Sequence, residues 1–244
     1  MADAHLTALR SSVARLHDLA AGLDEEELTG RAYPSEWTIA DVLSHLGSGA
    51  VITQRRLDDT IAGQETPEDF APGVWDDWNA KPPLAQRDDA LAADASLLAS
   101  LDAVTTEQRS AFVSEMGPMT LDFAQFVAMR LNEHALHTWD IEVAGNPTAT
   151  IPQQAAELIV DNLDLIARFT GKPTGATTTT ITVTVRQTAR TLKRTLPCCS
   201  SRLIRRARER LAARRRSWSR FSSWRWRSRR CVSASGSTDH FAST

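Results

Sequence analysis

The sequence predicts an all-α fold, a bundle of four helices with a fifth beside it, followed by the opening strand of a small α/β domain and a basic tail. Three observations carry that expectation. Apolar residues recur with helical spacing through most of residues 1–170. A β-branched run, TTTTITVTV, occurs at 177–185. The charge then reverses: residues 1–185 hold 11 Lys+Arg against 28 Asp+Glu, and residues 186–244 hold 17 against 2. The net charge of -2 averages two oppositely charged segments.

Leu6, Leu9, Val13, Leu16, Leu19 and Leu23 form one apolar stripe and predict a first helix over 2–22. Thr38-Ile39-Ala40-Asp41 fits a capping box, so a second helix starts there and runs towards residue 63. The stretch 63–83, with its Pro and Gly residues, reads as a long connection anchored by Trp75 and Trp78. A third helix fits 84–104. Gly117-Pro118 breaks the chain, and Thr120 is expected to cap a fourth helix ending near 145–147. Pro152 suits the first position of a fifth, to about residue 169. Alternation over 177–185 reads as a strand.

From residue 186 onward Arg, Ser and Trp dominate, and charge is too dense for a core. The run resembles a GC-rich reading frame translated out of register. The expected boundaries are 1–172 for the bundle, 173–187 for a linker and remnant strand, and 188–244 for a disordered or frameshifted tail. All three cysteines (Cys198, Cys199, Cys231) lie in this basic part, so no disulfide framework is expected in the acidic one. No apolar stretch approaches the roughly 20 residues of a membrane span. MADAHLTALRSS lacks the basic start and apolar run of a secretory signal, so a soluble, cytoplasmic protein is expected.

The fourth helix gathers its ionisable groups. Arg130, Glu133, His137 and Asp140 fall within an arc of roughly 80° on a helix otherwise rich in Ala, Leu, Val and Ile. Such a helix belongs at the centre of a bundle, where uncompensated charge is costly. One answer is a divalent cation held by Glu133 and His137, which are one turn apart. The other is a buried ladder in which Arg130 neutralises Glu133 and Asp140. His45, two turns into the second helix and followed by the small residues Gly47, Ser48, Gly49 and Ala50, offers a third ligand for the first answer. His134 is an alternative ligand but points about 60° away from His137.

The residues Trp37-Thr38, Asp41-Val42-Leu43-Ser44-His45-Leu46 and Glu133-x-x-x-His137-x-Trp139-Asp140-Ile141 resemble the DinB-like metal-binding bundles, specifically the mycothiol-dependent maleylpyruvate isomerase N-terminal domain. The resemblance spans roughly residues 5–170 and implies a DinB-like four-helix bundle with an extra helix. It carries three metal ligands onto His45, Glu133 and His137. Two imidazoles and one carboxylate leave a coordination position open, and zinc suits the donor set best, with nickel, iron and manganese as alternatives.

The resemblance further implies that the open position takes the thiol mycothiol as cosubstrate and activates it as a thiolate. Addition of that thiolate to maleylpyruvate, rotation and elimination would give the trans isomer. Transfer of the thiol to another electrophile is the alternative, and a non-catalytic metal-binding bundle is a second. Asp140 is placed to orient an imidazole or, equally, to finish the helix. Arg130 is read as a contact for a dicarboxylate substrate or as a partner of Glu133 or Asp140. Arg55 and Arg56 could attract an anion, and Trp37 reads as a core anchor. A rival of another class is nucleic-acid binding through the tail, whose 16 arginines are interleaved with Trp218, Phe221, Trp224 and Trp226. The sequence leaves the oligomeric state open.

Overall fold

The computed structural model of the protein describes residues 2–34, 36–117, 119–170, 179–184 and 191–196. Four long helices, α1 (Ala2–Ala20), α3 (Ile39–Ile61), α5 (Pro83–Ala103) and α7 (Phe123–Gly145), make the bundle. The helix α3 packs most extensively on α5, and α1 on α7; contacts of α1 with α5 and of α3 with α7 close the ring. The last helix, α8 (Gln153–Thr170), lies against α7 and α1 as the extra member. Short helices α2 (Glu25–Thr29), α4 (Phe70–Asn79) and α6 (Thr106–Ala111) occupy the connections. The all-α expectation holds.

Capping chemistry starts the two central helices. Thr38 accepts from the Asp41 amide at 3.0 Å, and the Asp41 carboxylate accepts from the Thr38 amide at 3.0 Å, as the sequence predicts for α3. The start of α7 differs from expectation. Thr120 lies in β2 (Met119–Leu121), which pairs antiparallel with β1 (Ser114–Met116), Glu115 facing Thr120. Gly117, at φ +59°, turns the chain between them, a conformation that suits glycine. The cap is Asp122, two residues on, whose side chain accepts from the Gln125 amide at 2.8 Å.

The connection expected over 63–83 contains α4, and its Trp78 is buried between α3 and α5. Gly47 makes room for it: a Cβ there would overlap the Trp78 ring and stand 2.8 Å from Ala90 Cα. The small residues after His45 thus serve first to admit a neighbouring tryptophan.

Two apolar clusters fill the bundle. One gathers Leu6, Leu9, Leu97, Leu101, Phe126 and Leu131. The other gathers Leu16, Leu28, Leu43, Leu46, Trp78 and Ile141. Between them along α1 and α5 come Ser12 and Asp94, and on α7 His134 stands between Leu131 and Ala135 of the first cluster; all three are buried. The predicted strand appears as β3 (Thr179–Thr184), and it pairs antiparallel with β4 (Thr191–Leu196). That second strand falls inside the segment read as tail, where Lys193-Arg194 between Leu192 and Leu196 break the apolar alternation that marks a strand in sequence. The rest of the tail, with the disorder, frameshift and nucleic-acid readings that fall on it, lies outside the described residues. No described helix is long and apolar enough to cross a membrane.

Candidate metal centre

The elements α3 and α7 run past each other so that His45 meets Glu133 and His137. His45 Nε2 is 3.2 Å from Glu133 Oε2, and His137 Nε2 is 3.6 Å from the same oxygen. One donor atom from each residue lies within 4.8 Å of the other two. Ligand atoms about 2.1 Å from a common tetrahedral ion stand about 3.4 Å apart, so the measured pair of spacings brackets what a shared cation needs. The donor set fits a borderline-soft divalent ion. His134 does not join it.

Each imidazole is oriented. His137 Nδ1 is 2.8 Å from Asp140 Oδ2, which turns Nε2 towards Glu133. The His45 and His137 rings meet edge to face at 4.6 Å between centroids. Trp37 forms a wall against both, 5.4 Å from the His45 ring and stacked 6.1 Å from that of His137. It is half-buried, an anchor and a lining residue at once. The turn that carries Trp37 is fixed to the end of α7 by the Tyr33 amide, which donates to the Asp140 carbonyl at 3.1 Å. Glu133 faces the open side, its side chain 52% exposed against 4% for His137.

The charges are divided between the histidines. Burial pushes the pKa of His45 down, against the opposing pull of its hydrogen bond with Glu133. Burial acts the same way on His137, but its bonds to Asp140 and Glu133 outweigh it and raise its pKa to about 9. The Glu133 carboxyl, although burial favours its neutral form, is held far below the usual range by His137 and His45. The raised pKa keeps His137 in its charged form at neutral pH, between the carboxylates of Glu133 and Asp140.

Arg130 departs from both sequence readings. It touches neither Glu133 nor Asp140; its Nη2 donates to Asp94 Oδ1 at 2.6 Å and to the Leu46 carbonyl at 2.9 Å. Its side chain is 4% exposed, so it is shut away from any substrate on the open side. The reason is tertiary: Asp94 on α5 lies closer than the acids of its own helix. Asp94 also meets His134 Nε2 at 3.0 Å, and His134 Nδ1 meets Ser12 Oγ at 2.8 Å. This Ser–His–Asp series has hydrolase-like order, but His134 has no exposed surface, so it serves packing. Sequence reading missed Asp94. The signal was there: Ala90, Asp94, Leu97 and Leu101 make one buried stripe, and a carboxylate on it needs a partner.

Of the two arginines beyond His45, Arg55 is engaged by Asp59 at 2.8 Å and lies over the Phe70 ring. Arg56 is half-buried, its pKa lowered by burial, with no acidic partner among the described residues.

Comparison with known proteins agrees with this architecture. Among solved structures the fold is similar to the crystal structure of the mycothiol-dependent maleylpyruvate isomerase, with a TM-score of 0.56 and 17% identity over 65% of this chain and 68% of that one. A histidine-to-alanine mutant of that isomerase matches with a TM-score of 0.55 and 16% identity over the same shares. No curated protein sequence matches. The family model described as the mycothiol maleylpyruvate isomerase N-terminal domain matches residues 9–142, a span that includes His45, Glu133 and His137. The chain belongs to the mycothiol maleylpyruvate isomerase N-terminal domain family.

Proposed function

We propose that the protein is a metal- and thiol-dependent enzyme, with His45, Glu133 and His137 holding one divalent ion, zinc by preference. The observation that carries this reading is the convergence of two imidazoles and one carboxylate, from α3 and α7, within 4.8 Å. A bound ion of this kind would lower the pKa of a thiol and supply it as thiolate near neutral pH. Asp140 fixes the ring and tautomer of His137, so that Nε2 is the nitrogen presented. Burial keeps His45 neutral and ready to donate its lone pair. Trp37 closes one side against water, and the exposed edge at Glu133 is the approach for small molecules.

The thiol is mycothiol and the reaction is cis–trans isomerisation of a maleylpyruvate-type substrate. Family membership and the likeness in fold support that choice. Arg56, on the His45 side of α3 but about 16 Å further along it, is too far to touch a small substrate held at the ion and would instead attract an anion as it approaches. The metal site belongs to the bundle, residues 1–172, and dependence on a reduced thiol suits the cytoplasm.

Elemental analysis of purified full-length protein, beside His45→Ala, Glu133→Ala and His137→Ala, tests the site. Mycothiol-dependent loss of maleylpyruvate absorbance tests the reaction. One ion per chain that each substitution removes, with turnover requiring both ion and mycothiol, is expected. Full occupancy in all three variants rejects the ligand set. Turnover without mycothiol rejects the thiol chemistry.

A further inference from the structure

The helix α5 carries Asp88, Asp89, Asp94 and Asp102, and of these only Asp94 is buried. Both of its oxygens are used: Oδ1 accepts from Arg130 at 2.6 Å, and Oδ2 from His134 at 3.0 Å. Those two residues flank Glu133 on α7, three before and one after it, and His134 is three before His137. Arg130 donates onward to the Leu46 carbonyl at 2.9 Å, one residue from His45. His134 meets Ser12 of α1 at 2.8 Å. One carboxylate thus ties all four bundle helices together at the level of the three convergent side chains. Gly49 completes the arrangement, because a Cβ there would stand 2.9 Å from Arg130 Nη1.

We infer that Asp94 is a positioning residue for the metal centre, setting the rotation of α7 and the α3–α7 gap, and so the spacing of His45 from Glu133 and His137. It touches neither the donors nor the open side. Its partners leave little freedom: a guanidinium and an imidazole N–H both need an acceptor there, and burial makes an unpaired one costly. Asp94→Asn keeps the shape but removes the charge and one acceptor oxygen: its amide N–H₂ either faces the Arg130 guanidinium, a donor, or faces His134, which must then take its other tautomer and re-pair with Ser12. The turn of α7 that bears Glu133 then has to shift.

This inference rests on the metal reading above, and the test separates the two. Full-length protein, wild type, Asp94→Asn, Gly49→Ala and Leu101→Ala, is titrated with zinc against a chromophoric chelator. Each is also loaded with Co(II) and its d–d absorption recorded. Asp94→Asn is expected to weaken zinc binding about 10–100-fold, with a displaced Co(II) band. Gly49→Ala, which presses on Arg130, is expected to displace the band in a milder form. Leu101→Ala, in the other apolar cluster, is expected to lower the unfolding temperature and leave affinity and band as in wild type. Wild-type affinity and an unchanged band in folded Asp94→Asn would overturn the inference while the metal reading stands. Should Asp94→Asn not fold, an unchanged band in Gly49→Ala overturns it instead. Wild-type protein that binds neither ion sinks both.

Discussion

Metal affinity should climb steeply with pH, because His137 must lose a proton before it can donate. In the metal-free protein its pKa stands at about 9. At pH 7 about one molecule in a hundred then carries neutral His137, and affinity is about 100-fold below its alkaline limit, or about 3 kcal/mol. Affinity should rise about tenfold per pH unit from 7 to 9 and flatten above. His45 and Glu133 add nothing to this slope near neutrality, since burial leaves the first neutral and both imidazoles keep the second ionised. Stability of the metal-free protein carries the opposite sign. The raised pKa of His137 contributes fully below the ordinary histidine value of 6.5, and that contribution fades as pH rises towards about 9. The assay is zinc titration with a competing chelator at several pH values, paired with calorimetry in buffers of different ionisation enthalpy. About one proton released per ion at pH 7 is expected. Flat affinity between pH 7 and 9, with no proton release, would refute the reasoning.

Other perturbations separate the roles of neighbouring groups. Gly47→Ala forces a methyl into Trp78 and should cost about 1–3 kcal/mol in denaturant unfolding; unchanged stability would contradict the packing of α3 on α4 and α5. His134→Ala breaks a buried network and should lower the unfolding temperature, yet at saturating zinc still bind one ion per chain, whereas His137→Ala should not; loss of the ion from His134→Ala alone would move the ligand assignment. Thr38→Ala removes the cap of α3 and should cost about 1 kcal/mol, read from the same unfolding curves. Arg56→Gln should raise KM for an anionic substrate at unchanged zinc content, and equal KM values would dismiss that residue from attracting it.

Local rules carried much of this molecule. The cap at Thr38 depends on residues three apart, and it forms as its sequence predicts. Glu133 and His137 share a face because one helical turn separates them, and that too is independent of the rest of the fold. What sequence could not yield was the partner of Arg130. Spacing along one helix nominates Glu133 and Asp140, but the nearest acid comes from α5, and only packing brings it there. The capping error has a simpler source. Asp122 and Gln125 carried a capping signal as good as any in the chain, and Gly117-Pro118 drew the predicted start too close to the break. In α4 the Gly and Pro of the connection outweighed an apolar run that Trp78 anchors by burial.

The separation of the donors along the chain has a bearing on how the protein matures. His45 and Glu133 are 88 residues apart, so no short peptide contains the whole constellation. A zinc finger knits around its ion from a local loop, but here a long stretch must close before the second helix of the pair arrives. Zinc added to the unfolded chain should therefore not hasten collapse. On the proposed site, zinc would enter a bundle already formed, as a late guest whose removal is expected to leave the scaffold standing.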